Sequence, residues 1–277
     1  MDRAGGAATA IAARARFIGA IYPPVMPLRT VEATRYVMPL REGGSLPGLG
    51  EGSDDGLYVV KFRGAGQGPK ALVAEVVAGE LGRALGLRVP ELVRVELDPD
   101  FANAEPDEEI QDLLARSAGS NLGVDFLPGA LAFHPAAGPR PDPALAADVV
   151  WFDALVTNVD RTPRNVNLLT WHGQLWLIDH GASLYFHHAP ARTRGDERTP
   201  FPLIADHVLL PFAGSIAEAD TRLAPRVTRD LLERVASAIP AEWLDDGDVH
   251  TYVAYLERRL AAPREFVAEA ERARARR

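Results

Sequence analysis

Short apolar runs of strand character alternate along the chain with longer runs of helical spacing. LYVVKF, beginning at residue 57, is dense in β-formers. It follows a Gly-rich stretch, REGGSLPGLGEGSDDG (41–56), that reads as turn-forming, its glycines lying between extended segments. From Leu72 to Leu85 the residues Val73, Val76, Val77, Leu81 and Leu85 recur at helical spacing, and Gly86 stands where a helix C-cap would. ELVRVEL (91–97) then alternates as a half-buried strand does.

DEEIQDLLARSA (107–118) reads as a short surface helix and NLGVDFL (121–127) as another strand, which Pro128-Gly129 breaks at an expected hinge. After a Pro- and Ala-rich loop, ALAADVVWFDALVTN predicts a buried helix ending near Asn158. VNLLTW and QLWLI, joined by His172-Gly173, form an expected hairpin. An Arg-, His- and Pro-rich loop from about 186 to 201 precedes mostly helical patterning, including TRDLLERVASAI and VHTYVAYLERRL. No internal repeat is apparent.

A chain of 277 residues can bury one large core or two modest lobes sharing a cleft. With no cysteine, disulfides, thiolate nucleophiles and Cys-based zinc sites drop out, which fits a reducing compartment. Arg14 and Arg16 interrupt the Ala-rich N-terminal stretch, so no signal-peptide core or membrane span forms, and the chain reads as cytoplasmic with no membrane partner. A net charge of −8 argues against nucleic-acid binding, and the terminal ERARARR reads as a solvated helix end. Of 30 basic residues only Lys61 and Lys70 are lysines, so a lysine on the strand after the Gly-rich run stands out.

The candidate chemistry lies between Asp160 and Asp179. Asp160-Arg161-Thr162-Pro163-Arg164-Asn165, a hairpin, and then Leu177-Ile178-Asp179-His180-Gly181 match what phosphoryl transfer from ATP requires. An aspartate must orient the acceptor hydroxyl, and an asparagine five residues on can offer an amide oxygen to Mg²⁺. The hairpin returns Asp179 as a second hard oxygen ligand. Upstream, Lys61 supplies a point charge for phosphates. A carboxylate from the following helix should orient it, with Glu75 and Glu80 as candidates. A helical wheel puts Glu75 roughly opposite the apolar residues and Glu80 near their edge; Glu75 is favoured.

These residues resemble the HipA-like kinases, a family whose fold is distantly related to protein and phosphoinositide kinases. The resemblance covers roughly residues 40–185 and rests on GGS (43–45), YVVKF around Lys61, AEVVAGELGRALGLRVPE (74–91), FDALVTNVDRTPRN (152–165) and LWLIDHG (175–181). It implies an α+β, two-lobed fold with a nucleotide lobe over 1–128 and a mainly helical catalytic lobe over 129–277. It also implies that Gly44, Ser45 and Lys61 bind phosphates, that Glu75 supports the nucleotide lobe, and that Asp160 is catalytic. Asn165 and Asp179 would hold Mg²⁺, and Phe126 and Leu127, at the hinge, would contact ATP. The chain departs from better-known members in carrying Thr162 where they have His, and His180 where related kinases often have Phe. It also looks shorter at the N-terminus than full-length HipA toxins, so a toxin role does not follow.

The expected function is ATP- and Mg²⁺-dependent transfer to a hydroxyl, with protein Ser/Thr the favoured acceptor and a small molecule the alternative. A nucleotide-binding pseudokinase is a second alternative, although it would not need Asp160. A metal hydrolase built on Asp179, His180, His187, His188 and His207 is weaker, since no HExxH pair occurs and Lys61 is left unexplained. The loop with Arg192, Arg194 and Arg198 beside Thr193 and Thr199 occupies the place of an activation segment.

Overall fold

The computed structural model describes residues 25–40, 46–188, 198–244 and 249–277. Five strands, β1 (Arg29–Pro39), β2 (Gly48–Gly52), β3 (Leu57–Lys61), β4 (Leu92–Leu97) and β5 (Gly119–Asp125), close into a barrel in the order β1-β2-β3-β5-β4. Neighbours pair antiparallel except β1 with β4, which run parallel from Arg29↔Val93 to Glu32↔Glu96 and close the barrel.

Strand pleat explains how this small barrel is shared between two cores. Tyr58, Val60, Val93 and Val95 pack with Val31, Phe62, Leu113 and Leu114 in one cluster. From the other face Leu92, Leu122 and Val124 join the main core.

The Gly-rich stretch expected to be all turn contributes β2 instead. Its glycines are required by packing: a Cβ on Gly48 would collide with the Tyr36 ring, and one on Gly52 with Val31. The strand β1 escaped the sequence reading because its pairing slips between Ala33 and Arg35 and again between Tyr36 and Met38, which breaks the alternation. Residues 41–45, including Gly44 and Ser45, lie outside the described residues.

Helix α1 (Gly68–Leu85) is buried on almost every side and ends at Gly86, whose φ of 91° needs no Cβ. Gly79 lets it approach Leu92 and Val89, and Gly82 lets it approach Phe152. A surface helix α2 (Glu108–Arg116) starts on Asp107, whose carboxylate accepts from the Glu109 and Ile110 amides. Beyond the barrel, α3 (Pro143–Leu155) is apolar all round and sits inside the main core. It ends at Leu155, three residues before the expected Asn158.

Strands β6 (Leu131–Ala132), β7 (Leu168–Trp171) and β8 (Gln174–Leu177) form a small antiparallel sheet. His172 (φ 48°) and Gly173 (φ 72°) make the two-residue turn, both in the left-handed region that such a tight hairpin needs. Helices α4 (Ile216–Leu223), α5 (Arg229–Ser237), α6 (His250–Leu260) and α7 (Glu265–Ala275) complete the chain.

The basic tail ends the last helix with four of its seven residues, 271–277, exposed, while Glu271 accepts from the Ile216 amide at the start of α4, 2.8 Å away. Among the described residues no helix is long and apolar enough to cross a membrane.

Candidate active site

Lys61 is the last residue of β3, and its side chain leaves the barrel toward α1. Its ammonium donates to Glu75 Oε1 and, at 2.7 Å, to Asp179 Oδ1. Glu75 is not on a solvent face as the helical wheel had it. Because α1 is enclosed on nearly all sides, the glutamate is 2% exposed, and there it meets Lys61. Glu80 lies one turn further on beside Arg83, 3.6 Å away, and burial raises its pKa.

Burial opposes the charge on Glu75, but the Lys61 ammonium and the His180 ring beside it outweigh it and hold the carboxyl well below its usual range. The same partners, Glu75 and Asp179, outweigh burial at Lys61 and raise its pKa. The Gly181 amide donates to Glu75 Oε1 at 2.8 Å, so one carboxylate joins β3, α1 and the segment after β8. Asp179 itself is 44% exposed at its side chain.

The loop after α3 brings Asp160 and Asn165 together: Asn165 Nδ2 donates to Asp160 Oδ2 at 2.7 Å. Asn158 Oδ1 accepts from the Asp160 amide at 3.0 Å, a local turn that fixes the approach to the aspartate. Between Asp160 and Asn165 the chain makes a closed turn, in which Thr162 N donates to Asn165 O at 2.9 Å and Asn165 N to Thr162 O at 3.2 Å.

A buried network underneath holds this loop. Arg161, 1% exposed, donates from Nε to Asp153 Oδ2 at 2.6 Å, and its Nη1 reaches the carbonyls of Asn167 and Ile178. Asn167 (φ 47°) and Asp179 (φ 54°) are both left-handed, so the guanidinium secures one strained corner directly and the other through its neighbour.

His207 Nε2 lies 2.9 Å from Asp153 Oδ2, while its Nδ1 accepts from the Leu209 amide at 3.0 Å. That pattern fixes the tautomer with the proton on Nε2. Burial, together with Arg161, lowers the His207 pKa against the pull of Asp153. Burial acts against the charge on Asp153 too, but Arg161 and His207 prevail and hold it well below the ordinary carboxylate range.

Asp153 and Arg161 were absent from the sequence-based site as working parts, and His207 entered only the hydrolase reading. A carboxylate in the middle of the apolar WFDALV run was the available signal, since such a charge must find a buried partner.

Of the remaining candidates, Phe126 and Leu127 follow β5 directly, and Phe126 N donates to Leu57 O at 2.9 Å. The histidines do not assemble: His187 Nδ1 faces the Tyr252 hydroxyl at 3.2 Å, His207 is committed to Asp153, and His180 lies 3.7 Å from Glu75 Oε2. Among the described residues no three His, Asp or Glu side chains converge as a metal-binding group, which leaves the hydrolase reading without a site there. Thr193, Arg192 and Arg194 lie outside the described residues, whereas the Thr199 carbonyl accepts from Arg259 at 3.3 Å.

A barrel lobe carrying a lysine–glutamate pair, set against a mainly helical part whose loops carry Asp160, Asn165 and Asp179, defines a two-lobed, protein-kinase-like α+β fold. Solved structures of similar fold include a proinflammatory kinase of Helicobacter pylori, CtkA, at 13% identity and a TM-score of 0.57, covering 90% of this chain and 98% of that one. Another is the Golgi casein kinase with Mn/ADP bound, at 12% identity and a TM-score of 0.50, covering 89% of this chain and 74% of that one. No curated protein sequence matches significantly. The family model described as HipA-like kinase matches residues 34–262, and the chain belongs to that family.

Proposed function

We propose that the chain is an ATP-dependent phosphotransferase that uses Mg²⁺ and passes the γ-phosphoryl group to a hydroxyl, with protein serine or threonine the favoured acceptor. The observation that carries this reading is Lys61 held between Glu75 and Asp179, while Asp160 and Asn165 touch one another one hairpin away.

In this reading residues 1–128 form the nucleotide lobe and 129–277 the catalytic lobe. Lys61 is the cation for the phosphates, Glu75 keeps it extended, and Asp160 positions the acceptor hydroxyl and takes its proton. Gly44, Ser45, Phe126 and Leu127 are the further nucleotide contacts. Asn165 and Asp179 suit a hard cation: Asn165 is exposed and uses its Nδ2 on Asp160, leaving Oδ1 as a ligand, and Asp179 has an accessible carboxylate. Bound there, Mg²⁺ would neutralise phosphate charge as it develops.

The test is phosphate transfer from γ-labelled ATP with Mg²⁺, to water, to the chain itself and to generic protein acceptors, comparing wild type with Asp160→Asn. Loss of at least about 100-fold in rate with nucleotide binding retained is expected. Transfer undiminished in the variant would sink the assignment of Asp160.

A further inference from the structure

The loop from Asp160 to Asn167 contains two cations, and the structure treats them oppositely. Arg161 is enclosed: its guanidinium pairs with Asp153 and donates to the Asn167 and Ile178 carbonyls, while its buried Nη2 has no hydrogen-bond partner among the described residues. Arg164 is exposed, and among the described residues its guanidinium has no hydrogen-bond or ion-pair partner.

Its backbone, in contrast, is fixed. The Thr162 hydroxyl accepts from the amides of Arg164 and Asn165, both at 3.3 Å, and the Thr162–Asn165 turn is closed by backbone bonds in both directions. Arg164 thus stands at the tip of a hydrogen-bonded turn, next to Asn165, whose side-chain amide touches Asp160.

Charge balance gives this cation a task. Asp160, Asp179 and Glu75 bring three carboxylates to the site, and Lys61 is already shared by two of them. One divalent ion would cancel the remaining excess but leave a triphosphate under-neutralised. A planar guanidinium is suited to a phosphoryl group by its paired donors, and an arginine at the transferring phosphate stabilises the charge that spreads over it.

We propose that Arg164 binds the γ-phosphoryl group of the nucleotide, as an arginine supplied within the chain. This rests on the kinase reading above and adds a residue to it.

The experiment is calorimetric binding of ADP and of a non-hydrolysable ATP analogue, each with Mg²⁺, to the full chain as wild type, Arg164→Ala and Arg164→Lys. We expect wild type to prefer the analogue, Arg164→Ala to lose about tenfold of that preference with ADP affinity unchanged, and Arg164→Lys to retain part of it. An unchanged preference in Arg164→Ala, or an equal loss for both nucleotides, overturns the proposal. A preference unchanged while transfer to an acidic acceptor falls assigns the guanidinium to the acceptor instead and equally overturns it. Wild type that binds neither nucleotide overturns the kinase reading itself.

Discussion

Lys61 and Asp179 stand 118 positions apart in sequence, yet their charged atoms meet at 2.7 Å. Replacing Asp179 by Ala leaves Lys61 its Glu75 partner, and the lost carboxylate is partly exposed, so the fold should persist. The proposed metal contact should not. In thermal unfolding, wild type should be stabilised by ATP more with Mg²⁺ than without it, and Asp179→Ala should lose that difference. A ligand at 100 times its Kd contributes about 2.7 kcal/mol, which such a scan resolves. An Mg²⁺ effect of wild-type size in the variant would remove Asp179 from the metal site.

Glu75 is structural as well as part of the proposed nucleotide site. Glu75→Ala would leave the Lys61 ammonium facing only Asp179 and orphan the Gly181 amide, a loss on the order of 3–5 kcal/mol by chemical denaturation. Glu75→Gln keeps an acceptor for Gly181 and should be milder.

The pH dependence of this pair has a definite sign. A carboxylate whose folded pKa is depressed stabilises the fold above its ordinary value of 4.5 and loses that contribution as pH falls below it. Lys61 is raised, so its contribution is complete below 10.5 and is lost only above it. Acid unfolding should therefore be shallower below pH 4.5 in Glu75→Gln than in wild type.

Asp153 and Arg161 should show strong coupling. Each single replacement, Asp153→Ala or Arg161→Met, strands a buried charge and should cost about 3–5 kcal/mol. The double variant should cost much less than the sum, and additive losses in denaturant titrations would contradict the pairing.

His207 is neutral in the fold, with its pKa lowered from 6.5 by burial and by Arg161, and with Asp153 opposing. The unfolded chain therefore takes the proton more readily, and this residue's contribution is complete above pH 6.5 and declines as pH falls below it. Wild type should lose more stability than His207→Asn between pH 7.5 and 5.5, by at most about 1.4 kcal/mol per pH unit. Equal slopes would place the titration elsewhere.

Much of the candidate site was legible because its residues are short polar groups at fixed intervals. Asp160, Asn165 and Asp179 follow from one loop and one hairpin, and the His172-Gly173 turn announces that hairpin. Lys61 stood out by lysine scarcity and by its place on the strand after the Gly-rich run.

What escaped depends on distant partners. The orientation of Glu75 could not be read from a wheel, because α1 has no solvent face to contrast with a buried one. The role of His207 depends on a residue 54 positions earlier, and β2 is a strand because Tyr36 and Val31 occupy the space that side chains at Gly48 and Gly52 would need. Helix α2, by contrast, has a solvent face and an Asp107 cap, and it forms within a residue or two of its expected span.

The parallel pairing of β1 with β4 also fixes an order of events during synthesis. Arg29–Glu32 leave the ribosome first, but the edge they need, Val93–Glu96, is made some sixty residues later. Until then the nascent chain carries an unsealed strand, and the lobe that holds Lys61 cannot complete itself by adding pieces in sequence. Its closure waits for long-range contacts of β4 and of β5, which joins β3 to β4, so translation pauses or chaperone capture before residue 125 should govern how much protein reaches the folded state.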